Sequence, residues 1–136
     1  MSLGTCFVVV ACSASTGLQV EKAVVAVPAG AATAAYFVLT NNGIHSDRLV
    51  GVRSEVGTAE VHRSFVDGDR MSMEPTPELL VGGGEVIRFE PGGLHVMLLD
   101  VGTLEPGRIV TITLEFESAG ELQFEARVVP YSEIEP

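Results

Sequence analysis

The sequence predicts an all-β domain, built as an antiparallel sandwich or Greek-key barrel. Short segments are rich in Val, Ile, Thr and Phe or alternate between apolar and polar residues, and no segment keeps a helical period. Clusters of Gly, Pro and Asn separate these segments, for example at Asn41-Asn42-Gly43 and Pro91-Gly92-Gly93. Many short strands with turn signals between them are typical of sandwiches and barrels.

Each predicted strand ends at a turn signal or is preceded by one. The first lies before Pro28-Ala29-Gly30, the fifth follows the glycine triplet 82–84, and the last two are separated by Ala119-Gly120. In the strand over 109–117, Thr and Glu side chains share one parity and Ile, Leu and Phe share the other, which predicts one buried and one wet face. The predicted strands are 18–27, 35–40, 48–54, 59–65, 85–90, 95–101, 109–117 and 121–129.

Length and composition indicate one domain. The chain has 136 residues, of which 46% are hydrophobic, enough for a core that needs no metal or disulfide. We expect a leader over 1–17, the β-sandwich over 18–130 and a loose acidic tail over 131–136.

The chain is strongly acidic. It carries 18 acidic against 8 basic residues, for a formal charge of −10. Such a surface repels phosphate groups, which excludes nucleic acid and anionic lipid as expected partners. It raises the local concentration of cations but does not select a metal, and its simplest role is solubility.

Both cysteines, Cys6 and Cys12, lie in the first dozen residues, so the predicted domain has no thiol. This excludes a blue-copper centre and a typical structural zinc site. The apolar run 7–11 is too short to span a bilayer and suits a secretory signal. The residues up to Cys12 resemble a bacterial lipobox, which predicts an exported protein, periplasmic or on the outer face of the membrane, anchored by lipid at Cys12. The alternative is a disordered leader with two incidental cysteines.

Two histidines and two methionines stand out by their spacing. Ten residues separate His62 from Met73, twenty-one separate Met73 from His95, and one separates His95 from Met97. Imidazole and thioether ligands suit Cu(I) far better than magnesium or calcium. His95 and Met97, at i and i+2 of a predicted strand, project from the same face, and so do Met71 and Met73 after the turn 67–69. A hairpin from 62 to 73 would place His62 near Met73.

This spacing resembles the signature of the PCu(A)C family of periplasmic copper chaperones. The flanking residues are similar to that family too, at 35–37, 40–43, 47–51 and 91–98, so that the likeness runs from about 20 to 129. Members often carry a second Met beside the first His; here Arg63 takes that place, which leaves Met71 as the candidate auxiliary thioether.

The resemblance implies a cupredoxin-like β-sandwich that is not an enzyme. It implies that both His–Met pairs face one Cu(I) ion, with His62, Met73, His95 and Met97 as its metal ligands. It also implies copper delivery to the dinuclear copper centre of a haem-copper oxidase, directly or through another carrier protein.

Other interpretations remain open from the residues alone. Taken singly, His62 is typical of a surface histidine, Met73 and Met97 of core fillers, and His45 of a loop residue. A zinc or iron enzyme could combine His62 and His95 with Asp67 or Asp69, although a third histidine and a His-Glu-x-x-His motif are missing. A cell-surface adhesion module would also fit the composition.

Overall fold

The computed structural model describes residues 17–134, which form ten strands and one turn of 3-10 helix. No helix within 17–134 is long and apolar enough to cross a membrane. Cys6, Cys12 and the lipobox-like segment lie outside the described residues. The strands are β1 Leu18–Ala26, β2 Ala32–Asn41, β3 Asp47–Ser54, β4 Thr58–Asp67, β5 Arg70–Pro75, β6 Leu79–Val81, β7 Val86–Phe89, β8 Leu94–Leu99, β9 Ile109–Phe116 and β10 Gly120–Val129.

The strands form one hydrogen-bonded sheet in the order β5-β4-β8-β7-β2-β1-β10-β9-β3-β6, in which β8 also pairs with β2. Most pairs are antiparallel, and β1–β10 and β7–β8 are parallel. Although β3 and β4 lie near opposite ends of this order, they contact each other, because the sheet folds over on itself. The all-β prediction is confirmed, and the folded sheet is consistent with a cupredoxin-like sandwich.

One continuous core lies between the two halves of the folded sheet. Its largest fully buried side chains include Phe37 of β2, Leu98 of β8 and Leu114 of β9. Burial of whole Leu and Phe side chains contributes about 1.5–3 kcal/mol each to the stability of the domain. The face of β9 that was predicted to be solvent-exposed is only partly exposed. Thr113 is buried because β10 and β3 flank it on both sides.

All eight predicted strands are present, with bounds that differ by one to three residues, and β5 and β6 are additional strands. The predicted hairpin over 62–73 is the pairing of β4 with β5. The strands β5 and β6 are short and lie at the two edges of the sheet, where side chains need not alternate between core and solvent. The strand β4 runs on to Asp67, two residues beyond its predicted end, and His62 lies in the middle of the strand.

A short turn follows the last strand. A 3-10 turn spans Tyr131–Glu133, in which the N–H of Glu133 donates to the carbonyl of Pro130 at 2.9 Å. The N–H of Val27 donates to the carbonyl of Val129 at 3.0 Å and fixes the strand from which this turn departs. Tyr131 of this turn lines the same cavity as Ser64 of β4 and His95 of β8.

Candidate metal centre

The pairing of β4 with β8 brings the two predicted histidine ligands together. In the antiparallel register His62 lies directly opposite His95, and Glu60 lies opposite Met97. Directly paired residues project from the same face of a sheet, as do residues two apart on one strand. His62, His95 and Met97 therefore share one face, together with Glu60.

The β4–β5 hairpin adds the predicted methionine ligand to this face. Gly68, with a φ of +71°, and Asp69 form the two-residue turn, and a positive φ at the first turn position suits glycine. This turn sets the register so that Met73 lies opposite Ser64 and Met71 lies opposite Val66. Met73 is thus on the face of His62 but two residue pairs nearer the turn, while Pro75 is the direct partner of His62.

An open groove of about 480 Å³ runs along this face. His95, which is only 4% exposed, lies at the bottom of the groove, and Met73, which is 50% exposed, lies at its rim. The half-buried Met97 lies between these extremes, and Met71 is more exposed than Met73. The chemically distinctive side chains that line the groove are those of Tyr36, Ser64, Met71, Met73, His95, Met97 and Tyr131.

His95 is held as a neutral ring with one free nitrogen. Its Nδ1–H donates to the carbonyl of Gly93 at 3.1 Å, which leaves the lone pair on Nε2. Burial lowers the pKa of His95 below its ordinary value of 6.5, the Gly93 carbonyl opposes this, and nearby His62 adds to the lowering. A neutral imidazole is the form that coordinates a metal.

The His62 ring has its centroid 6.0 Å from that of His95. Its Nε2 is 2.9 Å from a carboxylate oxygen of Glu60, whereas its Nδ1 is buried and has no hydrogen-bond partner. A buried polar atom without a partner costs about 1–3 kcal/mol. The ring separation accommodates an ion, since metal–nitrogen bonds are about 2.0–2.1 Å long. The orphaned nitrogen and the soft thioethers nearby therefore fit a bound Cu(I).

Two tyrosines, Tyr36 and Tyr131, also line the groove. The Tyr36 ring lies 6.5 Å from the His95 ring, and burial, with a smaller effect from Tyr131, raises the pKa of Tyr36. The phenol therefore stays neutral at physiological pH. The sequence interpretation did not identify Glu60 or the tyrosines, although Glu60 could have been found because it stands two residues before His62 on the same strand.

The alternative His–carboxylate centre is not assembled. No group of three or more His, Cys, Asp or Glu side chains is placed to hold a metal within residues 17–134. Asp67 pairs with Arg70 at the hairpin end, on the parity opposite to His62. His45 lies in the loop between β2 and β3, where its carbonyl accepts from Nδ2 of Asn41 at 2.9 Å.

A family model and a curated relative match most of the chain. The family model described as "Putative lipoprotein LpqE-like" matches residues 18–128. The chain is also similar to "Putative lipoprotein Lxx21020" of Leifsonia xyli subsp. xyli, with 29% identity over 103 residues, which cover 74% of this chain and 62% of that protein. The chain thus spans about three fifths of the length of this curated relative.

Solved structures of similar sequence share the fold. The apo PCuAC domain from PmoF1 is 31% identical, with a TM-score of 0.69 over 84% of this chain and 94% of that one. The Cu(I) form of DR1885 from Deinococcus radiodurans is 27% identical, with a TM-score of 0.60 over 88% of this chain and 84% of that one.

Proposed function

We propose, from the premise that the chain belongs to the LpqE-like family and is a PCuAC domain, that it binds one Cu(I) ion and passes it to another protein. It acts as a chaperone and not as an enzyme, with copper as its cargo. The similarity to a protein solved in its Cu(I) form supports this function. The observation that carries it is the direct pairing of His62 with His95 on the face that also presents Met73 and Met97.

The proposed ligands are His62, Met73, His95 and Met97. Thioethers are soft and remain uncharged at any pH, so they favour Cu(I) over zinc. They also avoid the disulfide formation to which thiols are prone in an oxidising compartment. Each imidazole binds only when neutral, and the buried His95 meets that requirement over a wider pH range than an exposed histidine.

The depth of the groove suggests how copper leaves. Met73, on the edge strand β5, is half exposed, while His95 is buried on β8 next to the core. A ligand from an acceptor protein can therefore replace the Met73 thioether first, while His95 still holds the ion. Stepwise ligand exchange of this kind moves copper without releasing it into solution.

We further propose that the protein works outside the cytoplasm, anchored by lipid at Cys12. The lipoprotein description of the family and of the Leifsonia relative supports this location. The acceptor in this proposal is the dinuclear copper centre of a haem-copper oxidase, reached directly or through a second carrier. Loss of oxidase copper in cells that lack the protein, with rescue by wild type but not by His95→Ala, tests the acceptor.

The binding function is tested by metal competition. The purified domain should hold about one Cu(I) against a chromogenic Cu(I) chelator in reducing buffer, and should lose Zn(II) to a chelator of comparable strength. Retention of zinc as strong as that of copper would contradict the soft-ligand site. The variant His45→Ala, which changes a histidine remote from the groove, should bind copper as wild type does.

A further inference from the structure

We propose that Glu60 is a positioning residue, which orients His62 so that its Nδ1 faces copper. His95 presents its Nε2 to the same ion. This inference rests on the proposed function, because it assigns the coordinating nitrogens of the same centre. It concerns the apo protein as well, since the Glu60–His62 hydrogen bond involves only residues of this chain.

The hydrogen bond between Glu60 and His62 determines which nitrogen of the His62 ring carries the hydrogen. The two residues are two apart on β4 and lie on the same face, and Oε1 of Glu60 is 2.9 Å from Nε2 of His62. An ionised carboxylate only accepts hydrogen bonds, so in the neutral ring Nε2 carries the hydrogen and donates it. The lone pair of His62 is then on Nδ1.

The surroundings of Nδ1 explain why that lone pair matters. The atom is buried and unpartnered, while the Glu60 side chain is 49% exposed and the His62 side chain 17% exposed. The hydrogen-bonded Nε2 thus faces the exposed carboxylate, and the free Nδ1 is buried. A copper ion would give that nitrogen the partner it lacks, and partners that orient a ligating histidine are a general feature of metal sites.

His95 has the opposite arrangement. The Gly93 carbonyl can only accept, so Nδ1 of His95 carries the hydrogen and Nε2 is free. Nδ1 is attached to the ring carbon that bears the side-chain stem, whereas Nε2 is at the far side of the ring. An ion bound by both residues therefore lies nearer the backbone of β4 than that of β8, on the side of Met73 in the neighbouring β5.

Nitrogen NMR of histidine-labelled protein tests the assignment directly. At a pH where both rings are neutral, apo wild type should show a single Nε2–H form for His62 and an Nδ1–H form for His95. Addition of Cu(I), which is diamagnetic, should shift Nδ1 of His62 and Nε2 of His95. A copper-induced shift at Nε2 of His62 would overturn the proposal.

Two substitutions separate positioning from charge. Glu60→Gln keeps an oxygen acceptor and should retain both the Nε2–H form and nearly all of the Cu(I) affinity. Glu60→Leu removes the acceptor, so the His62 ring should become a mixture of tautomers. Cu(I) affinity should fall about 10–100-fold, as when other hydrogen-bond partners of metal-bound histidines are removed. Glu125→Leu is the matched control, because it removes an exposed strand carboxylate on β10.

The outcomes distinguish this inference from the proposed function. An unchanged His62 tautomer and unchanged affinity in Glu60→Leu would refute the role of Glu60 while leaving copper binding intact. Failure of wild type to bind Cu(I) would refute the proposed function, and the apo tautomers of wild type and Glu60→Leu would still decide whether Glu60 controls the His62 tautomer. If Glu60→Leu does not fold, Glu60→Ala takes its place, because it also removes the acceptor.

Discussion

Met97→Leu separates a metal ligand from a core filler. Met97 lies on β8 between Ala34 of β2 and Glu60 of β4, and its side chain is half-buried beside the groove. Leucine preserves the volume and the apolar character of methionine, so the free energy of unfolding of the apo protein should fall by less than about 1.5 kcal/mol. Leucine has no lone pair, so the contribution of sulfur to copper binding is lost entirely.

The expected size of the copper effect follows from mass action. At a free Cu(I) concentration 100 times Kd, binding stabilises the folded state by about 2.7 kcal/mol. A ligand loss that raises Kd about 100-fold leaves only about 0.4 kcal/mol at the same concentration, which removes most of the copper-induced rise in melting temperature. Each kcal/mol corresponds to a few degrees for a domain of this size.

The assay is thermal unfolding of wild type and Met97→Leu, with and without Cu(I) buffered by a chelator. The apo curves should nearly coincide, while the copper-dependent shift should be large in wild type and small in the variant. Equal copper-dependent shifts in the two proteins would refute the assignment of Met97 as a ligand. A large loss of apo stability would show instead that Met97 acts mainly in packing.

Three further expectations concern the same groove. Met73→Leu should reduce Cu(I) affinity in chelator competition as Met97→Leu does, whereas Met71→Leu should do much less because Met71 is opposite Val66, two residue pairs further from His62 than Met73 is; equal effects would make Met71 a ligand. Cu(I) affinity should decline as pH falls through about 6.5, because protonated imidazoles cannot bind, and a constant affinity would exclude the histidines. Because the folded-state pKa of His95 is lowered, the unfolded chain takes up the proton first, so apo stability should fall as pH drops below 6.5 and level off beneath the folded pKa. His95→Gln should lessen this decline in a pH series of urea melts, and an identical decline would place its cause elsewhere.

Most of the fold could be predicted because buried strands carry a local signal. Apolar side chains at Ile112 and Leu114 alternate with more polar ones, and the glycine and proline clusters mark where each strand stops. The edge strand β5 gives no such signal, since its methionines are exposed to the groove and do not pack in the core.

The site could be predicted only in part, because its geometry depends on pairing between distant segments. The spacing places His95 and Met97 on one face, since strand periodicity is local. The sequence does not reveal that β4 pairs with β8, or that the register puts His62 opposite His95 and Met73 opposite Ser64. The sequence interpretation missed Glu60, although its position two residues before His62 on a predicted strand indicates that the two side chains share a face.

X-ray absorption at the copper edge of the Cu(I)-loaded domain tests the central claim most directly. The proposed centre predicts two sulfur and two nitrogen scatterers around one ion, and one fewer sulfur in either Met73→Leu or Met97→Leu. A first shell of nitrogen and oxygen alone in wild type, or a sulfur count unchanged by both substitutions, would contradict the claim that these thioethers hold the copper.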